Sequence, residues 1–162
     1  MTTIRLRTAA AALAVAAIGG TIAAITATAA VAAPASAGTT ISFTMTNISD
    51  RTFNLGSGHG IAVGYVELVA NKLMHGGKQV GHDGESYTVT RLGAGSADEV
   101  VSAVEALAHG QIDLTGLVTS TPSGPGTFRL AVTGGTGNYQ DARGYATVVP
   151  ASAPKVTIHL TR

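Results

Sequence analysis

The chain has 162 residues, 45% hydrophobic and 12% charged, with a formal net charge of +1. These averages mix two materials. Residues 1–37 hold 16 alanines and two arginines, Arg5 and Arg7, with no acid and no aromatic residue. The other 125 residues carry eight lysines and arginines against all nine acids, a net charge of −1 with histidine neutral. No basic cluster can follow a phosphate backbone and no tryptophan can stack on bases, so nucleic acid is not an expected partner.

The leader begins with Arg5 and Arg7, continues as an apolar stretch over residues 8–33, and ends in Pro34-Ala35-Ser36-Ala37. That is the layout of a Sec-type signal peptide with a small-x-small cleavage sequence, and cleavage is expected after Ala37. An uncleaved anchor would need about 20 apolar residues. Alanine and threonine are only weakly apolar, and no basic stop-transfer cluster follows Gly38. Leu6 separates the two arginines, which argues against a twin-arginine signal. The expected product is a secreted domain, residues 38–162. With no cysteine anywhere it must stand on its core without disulfides.

Nineteen glycines fall in residues 38–162, mostly between runs that read as strands. Residues 40–47 alternate Ile41, Phe43 and Met45 with Ser42, Thr44 and Thr46, a period of two. Residues 61–71 are longer and more apolar, and 78–91 begin polar and then alternate Tyr87 and Val89 with threonines. Residues 100–108 also fit helical spacing; they are read as a strand because His109-Gly110 follows and 111–119 alternates cleanly. Residues 128–133, 144–149 and 155–161 complete eight strands, and Thr121 to Gly126 reads as a loop. Eight strands on short glycine-rich links favour an antiparallel barrel or sandwich.

Particular stretches are more specific. Asn71-Lys72-Leu73 followed by Gly76-Gly77-Lys78-Gln79-Val80-Gly81, and then Gly110-Gln111-Ile112-Asp113-Leu114-Thr115-Gly116, resemble the allene oxide cyclase family. Ala131-Val132-Thr133-Gly134-Gly135-Thr136-Gly137-Asn138-Tyr139 followed by Ala142-Arg143-Gly144-Tyr145-Ala146 resembles both that family and the dirigent proteins. The resemblance implies an all-β, calycin-type fold, an eight-stranded antiparallel up-and-down β-barrel. It further implies an apolar lumen for one small molecule and a homotrimer or homodimer through the barrel exterior. A barrel of about eight strands can be filled by side chains or hold one small ligand. The Gly134 to Gly137 block lacks the third glycine of a dinucleotide fingerprint and has no phosphate-loop lysine, so a tight turn with φ > 0 is its expected role.

Common catalytic signatures are missing. There is no Gly-x-Ser-x-Gly elbow and no cysteine nucleophile, and the five histidines show no metal-ligand spacing, so no metal or cofactor is expected. Asn47-Ile48-Ser49 matches a glycosylation sequon. The resemblance points instead to the lumen, where the family uses a second-strand Asn to hold an ordered water; Asn71 matches it. If Asn71 faces inward, strand parity turns Val69, Glu67, Tyr65 and Val63 inward too, and leaves Ala62, Gly64, Val66 and Leu68 outside. Glu67 in an apolar lumen would have a raised pKa suited to proton transfer; alternatively it pairs with an arginine or is solvated at the barrel mouth. Tyr87 stands where the family has a cavity cysteine, and either donates to a substrate oxygen or fills space.

Alignment through Asp50-Arg51 sets Met45 and Asn47 at the first-strand positions where the family carries a Glu and a water-binding Asn. The glutamate is absent, which speaks against allene oxide cyclisation itself and leaves Glu67 to supply the acid. Val118 replaces a cavity aromatic. Arg143 is read as a phenol- or carboxylate-binding cation or as a cross-strand partner of Asp141 or Glu85. The expected catalytic set is therefore Glu67, Tyr87, Asn71 and Asn47, with Tyr65, Val69, Met45, Val118 and Arg143 binding substrate. The expected function is a cofactor-free cyclase, isomerase or dirigent-like barrel acting on a hydrophobic small molecule. The alternatives are a non-catalytic binder of a lipid or aromatic metabolite and a structural trimer with a filled lumen.

Overall fold

The computed structural model describes residues 38–56 and 61–161, so the signal peptide expected over residues 1–37 lies outside the described residues. The described chain is nearly all strand: β1 Thr39–Asn54, β2 Tyr65–His75, β3 Lys78–Gly93, β4 Ser96–Leu107, β5 Gly110–Thr121, the two-residue β6 Gly124–Pro125, β7 Phe128–Gly135, β8 Arg143–Val149 and β9 Lys155–Thr161. Each of the eight longer strands pairs antiparallel with its neighbours in sequence, and β9 pairs back on β1. The result is a closed eight-stranded up-and-down barrel, and closure leaves the sheet without a free edge. The loop expected at Thr121 to Gly126 contains β6, which folds back on the end of β5.

The segment with helical spacing is β4. Val101, Ala103, Glu105 and Leu107 alternate inward while Val100 and Val104 stay about 40% exposed, so period two prevails. The inward set of the other strands forms the core: Phe43, Met45, Leu73, Ile112, Leu114, Leu130, Val132, Ala146, Val156 and Ile158. Two chain positions differ from expectation. β1 runs on to Asn54 because a bulge between Asn47 and Ser49 shifts its register against β2 and so interrupts the sequence alternation. β2 begins only at Tyr65, and Val63, expected inward, lies in the preceding turn and is 53% exposed.

The glycine-rich block makes the β7 to β8 connection through one 3-10 turn, Gly137–Tyr139. Gly137 takes φ +59, the conformation the block was expected to need. The turn is tied to the β4–β5 hairpin by bonds from Asn138 N to His109 O and from Thr136 N to Gln111 O, both 2.9 Å. Gly144 is more constrained still: at φ +138, any side chain would overlap the carbonyl of His159 on β9.

Candidate functional site

Register brings an acidic row together inside the barrel. Asn71 on β2 lies opposite Asp83 on β3, which lies opposite Glu105 on β4, which lies opposite Ile112 on β5. The neighbouring inward rows are Val69, Glu85, Ala103 and Leu114, and then Glu67, Tyr87, Val101 and Gly116. Val89, Glu99 and Val118 form the next. Period-two alternation along each strand therefore lines one wall of the lumen, across β2, β3 and β4, with Glu67, Asp83, Glu85, Glu99 and Glu105.

The wall has a depth. Asp83 and Glu105 are buried, whereas Glu67, Glu85, Tyr87 and Glu99 are inward yet only half-buried. The half-buried set lies toward the end where β1 runs past its pairing with β9. Two hollows lie elsewhere, around the β2–β3 turn and the β4–β5 hairpin. They measure roughly 320 and 350 Å³, and Phe43 lines both. Packed side chains fill the lumen at that end.

Asn71 organises the inner acid: its backbone N–H donates to Asp83 Oδ1 at 2.9 Å and its side-chain amide to the same carboxylate at 3.0 and 3.3 Å. Burial outweighs these bonds and the Asp83 pKa is raised. Tyr87 Oη donates to Glu85 Oε2 at 2.9 Å. Burial first, and then the charge of Asp83, push the Glu85 carboxyl up to about 7 despite that bond. The Tyr87 hydroxyl is pushed upward by burial and by its acidic neighbours, so it remains a donor. Burial and the charges of Asp83 and Glu85 raise Glu105 to about 9. Glu67 and Glu99 are raised mainly by burial, Glu67 also by Asp50 and Glu99 also by Glu67.

Glu105 is 1% exposed and its Oε2 has no hydrogen-bond partner. Asp83, Glu85 and Glu105 each present an oxygen within 4.8 Å of the others, close enough to share one cation, and the set is purely oxygen. The sequence reading looked for cations through histidine spacing and missed this set. Its signal was the alternation Asp83-x-Glu85-x-Tyr87, three inward polar residues in succession.

The expected site residues separate into two groups. Glu67, Tyr87, Asn71, Tyr65 and Val69 share the inward face of β2 and β3, and Met45 and Val118 are buried in the core. Two others differ. Asn47 lies opposite Asn71 at the β1 bulge, but it is exposed and its amide donates to the carbonyl of Ser49. Arg143 has the opposite parity to Gly144 and Ala146; it is exposed, and its guanidinium donates to the carbonyl of Ala142 at 2.7 Å rather than to Asp141 or Glu85. Nearby, Tyr145 lies between His159, stacked at 4.7 Å, and Arg129.

No protein-family model and no curated protein sequence matches the chain. Solved structures do. A pyocyanin demethylase is 28% identical, covering 76% of this chain and 100% of its own, with a TM-score of 0.67. A pterocarpan synthase dirigent protein is 16% identical, covering 78% of this chain and 95% of its own, at 0.57. The barrel fits the fold of the allene oxide cyclase and dirigent-like proteins. A Diels-Alderase from Streptomyces koyangensis shares the same barrel at 11% identity over 76% of this chain and 69% of its own, with a TM-score of 0.57.

Proposed function

We propose that this chain is a secreted barrel that binds a hydrophobic small molecule in the open half of its lumen and directs its cyclisation or coupling. The observation that carries this reading is the Tyr87–Glu85 hydrogen bond on the inner wall, with a carboxyl poised near 7. Such a group can take or return a proton near neutral pH. Tyr87 would turn from Glu85 to donate to a substrate oxygen, Glu67 would serve from the outer row, and Asn71 would hold Asp83 in place. Val118 and Leu130 form part of the apolar surface against which the ligand folds. Holding a reactive chain near its attack geometry gives rate and selectivity without a nucleophile. The dirigent and Diels-Alderase neighbours support cyclisation or coupling as the reaction class.

One observation favours a second reading. The pyocyanin demethylase aligns over its whole length at 28% identity, so pyocyanin or a close analogue is a candidate ligand for the same wall. The test is to screen metabolites, pyocyanin included, for conversion by the protein and by Tyr87→Phe, Glu85→Gln and Glu67→Gln. Loss of one proton-transfer group should cost about a hundredfold or more in rate. Unchanged rate and product stereochemistry in all three variants would remove the wall from the chemistry. Export is tested separately by mass spectrometry of the secreted protein, where an intact residue 1–37 segment would overturn cleavage.

A further inference from the structure

Five acids face the lumen from β2, β3 and β4. Among the described residues the bases on that face are His75, at the far end of β2 with its ring on the Ser42 carbonyl, and Lys78 opposite it on β3, both exposed. Arg51, Lys72, His82, Arg91, Arg129 and Arg143 are all exposed, and Arg91 is held on the outside by Asp98. The innermost acid, Glu105, is buried with an oxygen that nothing satisfies, and it points at Asp83 and Glu85. A buried unsatisfied carboxyl is costly, and more so beside two like groups.

We propose that the lumen is a site for an organic cation, an ammonium or a positively charged ring nitrogen whose charge lies against Glu105, Asp83 and Glu85, and that it rejects carboxylic acids. The inference rests on the reading of the lumen as a ligand site and names the ligand's charge. A cation there gives Glu105 Oε2 its missing partner and favours the ionised form of carboxyls that burial and proximity otherwise hold back. A carboxylate ligand would meet acids from three strands and no base nearer than exposed His75 and Lys78 at the far end of β2 and β3. An organic cation is favoured over a metal ion because the acids extend beyond the inner trio to Glu67 and Glu99, a distance of several rows, and face the apolar side chains Leu114 and Val118. Ring and charge are then both accommodated.

The test uses three probes built on one ring system: protonated 4-aminoquinoline, quinoline and quinoline-4-carboxylate, titrated calorimetrically into the protein near neutral pH. The cation should bind about tenfold or more tighter than neutral quinoline, the value of a single charge-assisted contact, and the carboxylate weakest of the three. Glu105→Gln should weaken the cation by about tenfold and leave quinoline within about threefold. Glu99→Gln, at the outer row, should reduce the cation's advantage by less. If all three probes bind equally and Glu105→Gln changes none, the charge assignment is wrong while the lumen remains a ligand site. If none binds, the lumen reading itself fails and this inference with it. If Mn²⁺ or Ca²⁺ binds through Glu105 and the protonated aminoquinoline does not, the site belongs to a metal ion and the inference is overturned.

Discussion

Replacing Glu105 by glutamine keeps the side chain's shape and removes its titration. In the folded barrel the Glu105 pKa is about 9, against 4.5 for an ordinary glutamate. The folded state therefore holds a proton that the unfolded chain releases, and stability falls as pH rises between those two values. At about 1.4 kcal/mol per pKa unit, a change from about pH 5.5 to about pH 8.5 costs the native protein about 4 kcal/mol from this group. Local relaxation could halve that, leaving at least about 2 kcal/mol, or about 8 °C in Tm for a domain of this size. Glu105→Gln should therefore be close to wild type near pH 5.5 and clearly more stable near pH 8.5. Its amide can also donate to Asp83. Urea unfolding followed by far-ultraviolet circular dichroism at the two pH values measures both ΔG values. The wild-type slope should exceed the variant's, and the slope that remains in the variant should come chiefly from Glu85, which also titrates in this range. Parallel slopes, or a variant less stable at both pH values, would refute the burial of an uncompensated carboxyl at this position.

Other expectations follow from the same geometry. Asn71→Leu strips Asp83 of its amide donors and leaves only the backbone bond, so stability near pH 7 should fall by about 2 kcal/mol, and by less near pH 4 where Asp83 takes a proton. Gly144→Ala should destabilise by about 2 kcal/mol or more, through positive φ and overlap with His159. Gly134→Ala is the control, since its added methyl meets nothing nearer than Asp113 Oδ2 at 3.8 Å; thermal melts of the pair decide it. Leu68, Val100 and Leu117 are 43%, 40% and 63% exposed on the outer face of β2, β4 and β5. If the expected homotrimer or homodimer forms there, Leu117→Glu should yield monomer in sedimentation velocity without loss of fold.

The architecture was legible because period-two alternation survives in almost every strand, and the eight runs correspond to the eight barrel strands. The helical spacing within residues 100–108 misleads only while Glu105 is counted as a surface residue. Once it is inward, Val101, Ala103, Glu105 and Leu107 are a plain strand face. Parity from Asn71 places Glu67 and Tyr65 on the inner side correctly, because β2 is regular between them. Parity holds to Asn47, which pairs opposite Asn71, and breaks only after it, at the bulge hidden in Asn47-Ile48-Ser49. It could not find the Asp83, Glu85 and Glu105 cluster, since two strands' acids become neighbours only when their register is known. Arg143 was judged by its motif, although the parity of Gly144 and Ala146 already turned it outward.

The chain is poor in charge, and this gives the acidic wall its weight. Of its nine acids, Glu67, Asp83, Glu85, Glu99 and Glu105 face the barrel interior, so more than half are withheld from the surface where they would cost nothing. The opposite wall, from β5 through β7, β8 and β9, is mainly apolar, Ile112, Leu114, Val118, Leu130, Val132, Ala146, Val148, Val156 and Ile158, with Ser120 on β5 bonded to Glu99. If the acids were there only to fill space, leucine or methionine at Glu105 would pack the same volume without the burial penalty. The penalty is concentrated on three adjacent strands and descends in order from half-buried Glu99 and Glu67 to fully buried Glu105. A one-sided polar gradient of this kind orients a bound molecule, polar end inward along β2 to β4 and apolar edge against β5 to β9. Stability given up for such an arrangement is the pattern expected where a site has been built.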